Sequence, residues 1–465
     1  MRYHPFFIFL LVLFLAGCQS EIIPDWEEVL AQSLYQPEDI NYEISLPVIS
    51  PESDAIFNEN YFRPWHIALD SLSAHLEKVP GPDAAFLPKY LADPEYYGEN
   101  KRRHSDKRRR QLAANVDFEG FPSLLQRGIT VRHTNIRRLP ILQPGYDRYN
   151  KAGEGFPFDY FQETALWANS PVLVLHKTKD GAWAYVLVAS YKGWIPTNEI
   201  ALVNERFIQN WERGQYCSLL TDEMSIHSME GQFLFTGKMG MILPHLPEGD
   251  EVAYRRVYAA VADAEGQAVL KTCRLDQLQA VPKPLLFDGE YLQSLIKELH
   301  GNPYGWGGIG ENRDCSSSIK DLYTPFGIWV PRNSSDQAKC GKTTIELPGD
   351  NDEKMALIKE KGVPFLTILY KRGHAMLYVG LNEAGEPLIF HTVWGLKSYY
   401  DDSDLENVLE KYPLEGVHFN ESKGLFEGRK IIGQTAITTL TIGENDPAVK
   451  QLIIDELTFM TVLME

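Results

Sequence analysis

The last third of the chain carries the pattern that most restricts its fold, because helices come first there and strands follow. Apolar residues fall on one face of a predicted helix at 288–300. After a glycine-rich loop, a second helix is predicted to begin near Cys315, and strands are predicted at 364–370, 374–381 and 387–393. Helices that precede a run of strands indicate an α+β layer domain.

Two stretches with strand character precede that domain. Segments 171–177 and 183–189 are rich in strand-forming residues and flank Asp180-Gly181, a pair typical of a tight hairpin turn. A chain of 465 residues is too long for one hydrophobic core, so several domains are expected. We predict a signal segment at 1–17, a mostly helical and irregular N-terminal module at 18–118, small SH3-like β-barrels at 119–203 and 204–282, and the α+β domain at 283–465.

The start of the chain is typical of a secretory signal peptide. Residues 5–16 form the only long apolar run, which is too short to cross a bilayer core of roughly 30 Å, and Arg2 supplies the positive charge before it. The sequence 15–18 (LAGC) resembles a bacterial lipobox, which implies acylation of Cys18; an ordinary signal peptide with a chance cysteine is the alternative. Because Gln19 follows the cysteine, we expect a lipoprotein on the periplasmic face of the outer membrane.

Charge and cysteine content exclude several classes of protein. The 45 basic and 63 acidic residues give a net charge of −18, so nucleic acid is not expected as a partner. The cysteines other than Cys18 are too few for a disulfide scaffold and lack metal-ligand spacing, so neither a metal nor an organic cofactor is expected. Cys217 and Cys273 could form a disulfide or remain separate core thiols, and Cys340 is either a structural thiol or an exposed loop residue.

One strongly basic run contrasts with the acidic composition. Residues 101–110 (KRRHSDKRRR) contain most of the positive charge of the N-terminal module. Such a run is either a solvated loop or helix face, or a surface that contacts anionic lipid close to the membrane anchor.

The residues of the α+β domain that can carry chemistry are one cysteine and two histidines. Asp314 is a good helix N-cap and places Cys315 at the first helical position, where the helix dipole is expected to lower the thiol pKa from about 8.5 to roughly 3.5–7.5. Folding the chain about residue 382 or 383 brings His374 and His391 nearly opposite each other. Cys315 then fits a nucleophile, His374 its general base and His391 the residue that orients the base. A buried structural cysteine and two unrelated histidines are the alternative.

Together with their neighbours, these residues resemble the NlpC/p60 cell-wall cysteine peptidases. In the last domain the resemblance rests on Tyr304, Trp306-Gly307-Gly308, Asp314-Cys315-Ser316, Val330-Pro331-Arg332 with Gln337, 374–380 (HAMLYVG) and His391. Upstream, 61–65 (YFRPW) is similar to the N-terminal stabilising module of multidomain members, and 156–160 (FPFDY) with Gly193-Trp194 is similar to their first SH3-like barrel. Segment 428–440 resembles the family's C-terminal strand.

The resemblance implies a papain-like fold for the last domain and hydrolysis of peptidoglycan stem peptides. The usual bond joins γ-D-glutamate to a diamino acid such as diaminopimelate, and the reaction needs no cofactor. The resemblance assigns Cys315 as nucleophile, His374 as general base, His391 as third polar residue, Tyr304 as the group that polarises the scissile carbonyl, and Asp314 and Ser316 as residues that shape the substrate site.

Further substrate contacts are implied by the family's multidomain members. These trim short peptides with a free L-alanine amine, and their first barrel closes one end of the groove. In some members a carboxylate contacts that amine, whereas here Asn333 occupies the position, with Asp336 nearby. An amide offers the amine a dipole and no countercharge. Asp159 and Tyr160 are candidates for the barrel's contribution, with packing inside the barrel as the alternative.

Three functional hypotheses follow. The leading one is a monomeric, lipid-anchored periplasmic endopeptidase that cleaves γ-D-glutamyl-diamino acid bonds during trimming or recycling of murein peptides. The second keeps the cysteine–histidine site but makes the protein an N-acetylmuramoyl-L-alanine amidase, an acyltransferase or a lipid-directed hydrolase. The third is a non-catalytic lipoprotein whose SH3-like barrels bind the cell wall.

Overall fold

The computed structural model describes residues 26–68, 70–79, 81, 86–92, 95–117, 121–149, 151–411 and 417–464. The predicted signal segment and the predicted acylation site Cys18 lie outside these residues. Within the described ranges, no helix combines the length and the apolar character that crossing a membrane requires.

The N-terminal module is mostly helical. Proline at the first helical position suits α2, because that position needs no N–H donor, and the Ser50 hydroxyl caps the helix. Phe57, Phe62 and Trp65 of α2 are buried against the β-rich part of the chain. The elements of the module are α1 (Trp26–Ser33), α2 (Pro51–His66), α3 (Leu72–Lys78), α4 (Phe86–Ala92), β1 (Tyr96–Tyr97) and α5 (Asp106–Val116).

The first β-unit contains a seven-stranded antiparallel sheet with the strand order β5-β3-β8-β7-β6-β2-β9. The hairpin predicted around Asp180-Gly181 is present between β6 and β7, with Gly181 at a φ of +70°. Strand β4 pairs with β1 of the helical module instead. The strands are β2 (Gln126–Thr130), β3 (Thr134–Arg137), β4 (Tyr146–Asp147), β5 (Gln162–Leu166), β6 (Pro171–Lys177), β7 (Trp183–Leu187), β8 (Lys192–Pro196) and β9 (Ile200–Leu202).

A second β-unit follows and is built from smaller sheets. Strand β10 pairs with β13 and β16, whereas β11–β12 and β14–β15 form separate hairpins. Cys217 on β10 and Cys273 on β15 are buried and carry free thiols, and the partly buried Cys340 further along the chain is also free. The elements are α6 (Glu205–Trp211), β10 (Tyr216–Leu219), β11 (Met224–His227), β12 (Phe233–Gly237), β13 (Ile242–Pro244), β14 (Tyr254–Ala262), β15 (Ala268–Asp276) and β16 (Ala280–Lys283).

The last domain has the predicted α+β arrangement, with helices packed on an antiparallel sheet in the order β17-β23-β18-β19-β20-β22-β21. Leu292 of α7, Ile319 of α8 and Leu377 of β19 share one apolar core. Strand β20 continues past the predicted end at residue 393 to Tyr400, because β22 pairs with it that far. The elements are α7 (Gly289–Leu299), α8 (Cys315–Tyr323), α9 (Ser334–Gln337), β17 (Thr343–Glu346), α10 (Asn351–Lys361), β18 (Thr367–Lys371), β19 (His374–Leu381), β20 (Pro387–Tyr400), α11 (Asp402–Lys411), β21 (His418–Asn420), β22 (Leu425–Thr439) and β23 (Leu457–Val462).

Residues 26–40 pack on this α+β domain, although they are far from it in sequence. The Trp26 ring lies in one of its apolar clusters, and the ring Nε1–H donates to the Ile431 carbonyl at 2.9 Å. The backbone N–H of Tyr35 donates to the Ile437 carbonyl of β22 at 2.9 Å. Ile40 lies in the core formed by α7 and α8. The folded core of the last domain is therefore completed by the beginning of the described chain.

Candidate active site

Cys315 occupies the first position of α8, as predicted from its N-cap. The Asp314 carboxylate accepts the Ser317 backbone N–H at 2.9 Å, and the Ser317 hydroxyl accepts the Asp314 N–H at 2.8 Å, which forms a capping box. The side chain of Cys315 is largely buried, with 8% of the residue exposed. Backbone N–H groups of Ser316 and Ala375 donate to its sulfur. Because Ala375 follows His374, the helix start meets the beginning of strand β19 at this sulfur.

The two histidines are in contact through their rings. The Nε2 of His374 lies 2.9 Å from Nδ1 of His391, and the ring centroids are 5.2 Å apart. The register of β19 and β20 pairs Leu377 with Phe390, so the histidines are diagonal neighbours, two residues away from the nearly opposite placement that was predicted. The turn is centred at residue 384 instead of 382 or 383, since Leu381 pairs with Pro387, and the register shift between Tyr378 and Gly380 offsets part of this displacement.

A threonine on the next strand determines how the two imidazoles are protonated. The Thr438 Oγ1 lies 3.0 Å from the Thr439 carbonyl and 3.2 Å from His391 Nε2. A carbonyl only accepts, so the single hydroxyl hydrogen points to Thr439 and His391 Nε2 donates to the hydroxyl. His391 Nδ1 then accepts from His374 Nε2, which leaves His374 Nδ1 able to take a proton. Sequence reasoning missed Thr438, although it lies in the segment 428–440.

Burial keeps the cysteine and both histidines neutral in this site. Burial and the Asp314 carboxylate raise the pKa of Cys315 to about 12, although two backbone N–H groups and the Arg332 guanidinium act in the opposite direction. Burial also lowers the pKa of His374 well below its usual value and that of His391 to about 3. The predicted lowering of the thiol pKa is therefore wrong for this site, because desolvation outweighs the helix terminus.

Arg332 holds the residues on either side of the cysteine. Its guanidinium donates to both Asp314 carboxylate oxygens, at 2.9 and 2.7 Å, and to the Ser316 hydroxyl at 2.8 Å. Its Nε donates to the Thr164 hydroxyl of the first β-unit, also at 2.8 Å. Burial alone would raise the pKa of Asp314, but Arg332 and Ser317 lower it. Asp314 and Ser316 thus form a charged cluster with Arg332 beside the sulfur. Sequence analysis identified Arg332 only as part of a motif and assigned it no role in the site.

Asn333 connects this cluster to the first β-unit. Its side-chain oxygen accepts a hydrogen bond from the Tyr191 hydroxyl, and its amide nitrogen lies 3.5 Å from an Asp336 carboxylate oxygen. Burial raises the pKa of Tyr191, so this phenol stays neutral. The first β-unit therefore forms a wall at this end of the site, and sequence reasoning did not identify Tyr191 in it.

The structure places the two barrel residues that were predicted to contact substrate in different environments. Asp159 is fully buried, accepts from Arg137 at 2.6 Å and from the Gly145 N–H at 2.9 Å, and so serves packing inside the β-unit instead of substrate binding. Tyr160 is partly exposed and its hydroxyl donates to Glu154 at 2.5 Å. A substrate contact by Tyr160 stays a prediction.

Tyr304 belongs to an aromatic wall on another side of the site. Burial and the nearby Asp314 and Cys315 raise its pKa well above the usual value, so its phenol keeps the hydrogen needed to donate to an oxyanion. Its ring lies 5.8 Å from that of Trp394. Phe158 of the first β-unit lies against Trp306 at 5.1 Å and against Trp394 at 6.3 Å. The wall is therefore shared by two domains.

The site offers chemistry based on sulfur and imidazole. In the part of the chain that the structure describes, no group of three or more histidine, cysteine, aspartate or glutamate residues could hold a metal ion. The site contains a thiol at a helix start and a nitrogen that can accept its proton. A chain of hydrogen bonds holds this nitrogen in place. Such an arrangement is suited to acyl transfer.

Comparison with protein families divides the chain into three matched regions. Residues 144–196 match an SH3 domain of the SH3b1 type, and residues 204–250 match an SH3 domain of the SH3b2 type. Residues 301–393, which include Cys315, His374 and His391, match the NlpC/P60 family.

One solved structure shows the same fold over nearly the whole chain. An NlpC/P60 endopeptidase from Photobacterium damselae subsp. piscicida is 24% identical, with a TM-score of 0.72 over 93% of this chain and 96% of that one. An NlpC/P60 family protein from Bacillus cereus is 17% identical, with a TM-score of 0.42 over 65% of this chain and 83% of that one. No curated protein matches the chain significantly.

Proposed function

Because the chain carries an NlpC/P60 domain behind two SH3-type domains, we propose that it is a cysteine peptidase that hydrolyses peptidoglycan stem peptides. The observation that carries this proposal is the hydrogen-bond chain from Thr438 through His391 to His374, the residue before Ala375, whose backbone N–H donates to the Cys315 sulfur. It leaves His374 Nδ1 as the acceptor for a proton, which is what a general base beside a nucleophile requires.

The proposed reaction proceeds through a thioester. His374 takes the thiol proton as the Cys315 sulfur attacks the carbonyl carbon, and the oxyanion is stabilised by the Tyr304 hydroxyl and the Cys315 backbone N–H. When the C–N bond breaks, His374 returns the proton to the leaving amine. His374 then takes a proton from water and the hydroxide attacks the thioester carbon. As the C–S bond breaks, His374 gives that proton to the leaving sulfur, which restores the Cys315 thiol and releases the carboxylic acid.

We further propose that the bond cleaved joins γ-D-glutamate to a diamino acid, and that the substrates are short peptides released during murein trimming or recycling. The wall formed by Thr164 and Tyr191 beside Arg332 and Asn333 supports this proposal, because it blocks one end of the site to a long polymer. A monomeric lipoprotein, anchored through Cys18 on the periplasmic face of the outer membrane, would meet such peptides where they are released.

Product masses test this function. The purified protein is incubated with L-Ala-γ-D-Glu-diaminopimelate and with larger muropeptides, and Cys315→Ala is the control. We expect release of L-Ala-D-Glu from the tripeptide by the wild-type protein alone. Release of the muramoyl sugar from a muropeptide would identify an amidase instead. Intact substrates together with unchanged peptidoglycan binding by both proteins would identify a binding protein.

A further inference from the structure

Arg313 lies two residues before Cys315 and binds the second β-unit. Its side chain is buried, and its guanidinium donates to both Asp222 carboxylate oxygens, at 2.6 and 2.8 Å. The same group donates to the Met239 carbonyl at 3.0 Å. Asp222 lies between β10 and β11, and Met239 lies between β12 and β13. Two connections of the second β-unit therefore hold this residue of the last domain.

The same guanidinium is bonded to the helix that begins at the proposed nucleophile. Its Nε donates at 2.7 Å to Asp321 of α8, which also accepts hydrogen bonds from Lys320 and from the Trp167 ring Nε1–H. Burial alone would raise the pKa of Asp321, but Lys320 and Arg313 lower it, so its carboxylate stays ionised. Gly240 of the second β-unit adjoins α8 so closely that a Cβ on it would lie 2.9 Å from the Asp321 Cβ. Ion pairs and close backbone packing thus fix α8 against the second β-unit.

The backbone of Arg313 connects this cluster to Tyr304. The Gly305 N–H donates to the Arg313 carbonyl at 2.8 Å, and Tyr304 forms a β-bridge with Arg313. Arg313 is therefore joined on one side to the strand-like segment of Tyr304 and on the other, through Asp314, to Cys315. The Tyr304 hydroxyl and the Cys315 N–H are the two donors of the proposed oxyanion site, and such donors act only within hydrogen-bond distance of the charge that develops in the transition state. A shift of Arg313 would displace both of them.

Resting on the proposed function, we propose that Arg313 is a positioning residue and that Asp222 of the second β-unit is its anchor. The second β-unit then determines the geometry of the oxyanion site, although it supplies none of the side chains assigned to the active site above. Because the anchor acts on the transition state and not on the bound peptide, its loss lowers kcat and leaves KM unchanged.

Steady-state kinetics with the full chain test this role. With L-Ala-γ-D-Glu-diaminopimelate as substrate, Asp222→Asn should lower kcat about ten- to a hundredfold, change KM by less than about twofold and keep the shape of the pH–rate profile. The matched control is Asp250→Asn, because Asp250 also belongs to the second β-unit but pairs with His245 and Arg255 of that unit. It should leave kcat and KM unchanged.

A second variant covers the case in which Asp222→Asn does not fold. Arg313→Lys keeps the positive charge of the cluster, but one ammonium cannot replace the planar fork that holds both Asp222 and Asp321. We therefore expect kcat to fall about tenfold at unchanged KM. A loss of kcat in Asp250→Asn as large as that in Asp222→Asn would overturn the role, because it would show a general effect of damage to the second β-unit.

Amide hydrogen exchange separates failure of this role from failure of the proposed function. In Asp222→Asn or Arg313→Lys, exchange of the Gly305 N–H, which the Arg313 carbonyl accepts, should accelerate about tenfold, and this measurement needs no substrate. Faster exchange together with a wild-type protein that hydrolyses no tripeptide would support the anchor and refute the proposed function alone. Hydrolysis by the wild type with an unchanged kcat in the variants, or with a raised KM instead of a lowered kcat, would overturn the role of Arg313 and leave the proposed function standing.

Discussion

The ion pair between Arg332 and Asp314 gives the sharpest test of how Cys315, the proposed nucleophile, is held in place. The side chains are 6% and 13% exposed, and the two groups share two hydrogen bonds, at 2.9 and 2.7 Å. Arg332→Met leaves the Asp314 carboxylate buried without its countercharge, which costs about 3–5 kcal/mol. Asp314→Asn leaves the opposite charge unpaired but keeps a side-chain oxygen to cap α8.

The double variant distinguishes a charge effect from a packing effect. Replacing both partners removes both buried charges, so Arg332→Met with Asp314→Asn should cost about 2–4 kcal/mol less than the sum of the single variants. Because a chain of several domains does not unfold in one step, the assay is amide hydrogen exchange of the α8 backbone, which reports local opening. A coupling below about 0.5 kcal/mol would refute the reasoning.

The pH dependence gives a second reading of the same variants. Because the pKa of Asp314 is lowered in the folded protein, its contribution to stability is present above its unfolded pKa of about 3.9 and is lost as pH falls through the folded value. In Arg332→Met burial raises that pKa instead, so protonation relieves the buried charge. The loss of stability in the variant relative to wild type should therefore become smaller as pH falls from 7 to about 5. A loss that stays constant over this interval would show that lost packing dominates.

Three further predictions concern hydroxyl and thiol groups. Thr438→Val removes the hydrogen-bond acceptor of His391 and should lower kcat about ten- to a hundredfold and shift the pH–rate profile. Thr438→Ser keeps the hydroxyl and should retain both the kcat and the profile of the wild type. An equal loss of kcat in the two variants would show that Thr438 acts through packing. Because burial raises the pKa of Cys315 to about 12, its alkylation by iodoacetamide should accelerate about tenfold per pH unit between 6 and 9, and a plateau in that interval would contradict this. Cys217 and Cys273 are free and their pKa values are raised to about 12, so a thiol reagent should label them only after unfolding, with no mass change on reduction.

Local sequence signals predicted the parts of the site that depend on a few consecutive residues. Asp314 predicted the start of α8 because an N-cap acts on the N–H groups of the next three residues. The hairpin that carries His374 and His391 followed from its turn and strand patterns. Its exact register did not, because the turn is centred at residue 384 instead of 382 or 383 and the bulge near Gly380 has no signature of its own.

The remaining parts depend on residues that meet only in the folded chain. Tyr191 contacts Asn333 from another domain, and Thr438 contacts His391 from β22, which is separated from β20 by α11 and β21 in the chain. Asp159 was a candidate for substrate contact from the segment 156–160, yet in the folded chain it is buried and paired with Arg137 of β3. The predicted lowering of the Cys315 pKa was wrong for the same reason, because desolvation depends on all the groups that pack around the sulfur.

The hydrogen bond from Tyr35 to Ile437 has a consequence for how such enzymes can be rearranged by recombination. Ile437 is the residue before Thr438, so the beginning of the described chain braces the strand that sets the protonation of His391. A gene fragment that encodes only residues 283–465 would carry every residue of the proposed reaction and still lack Tyr35 and Trp26. We therefore expect that fusing the last domain to another protein would require the distant N-terminal segment to be included in the fusion.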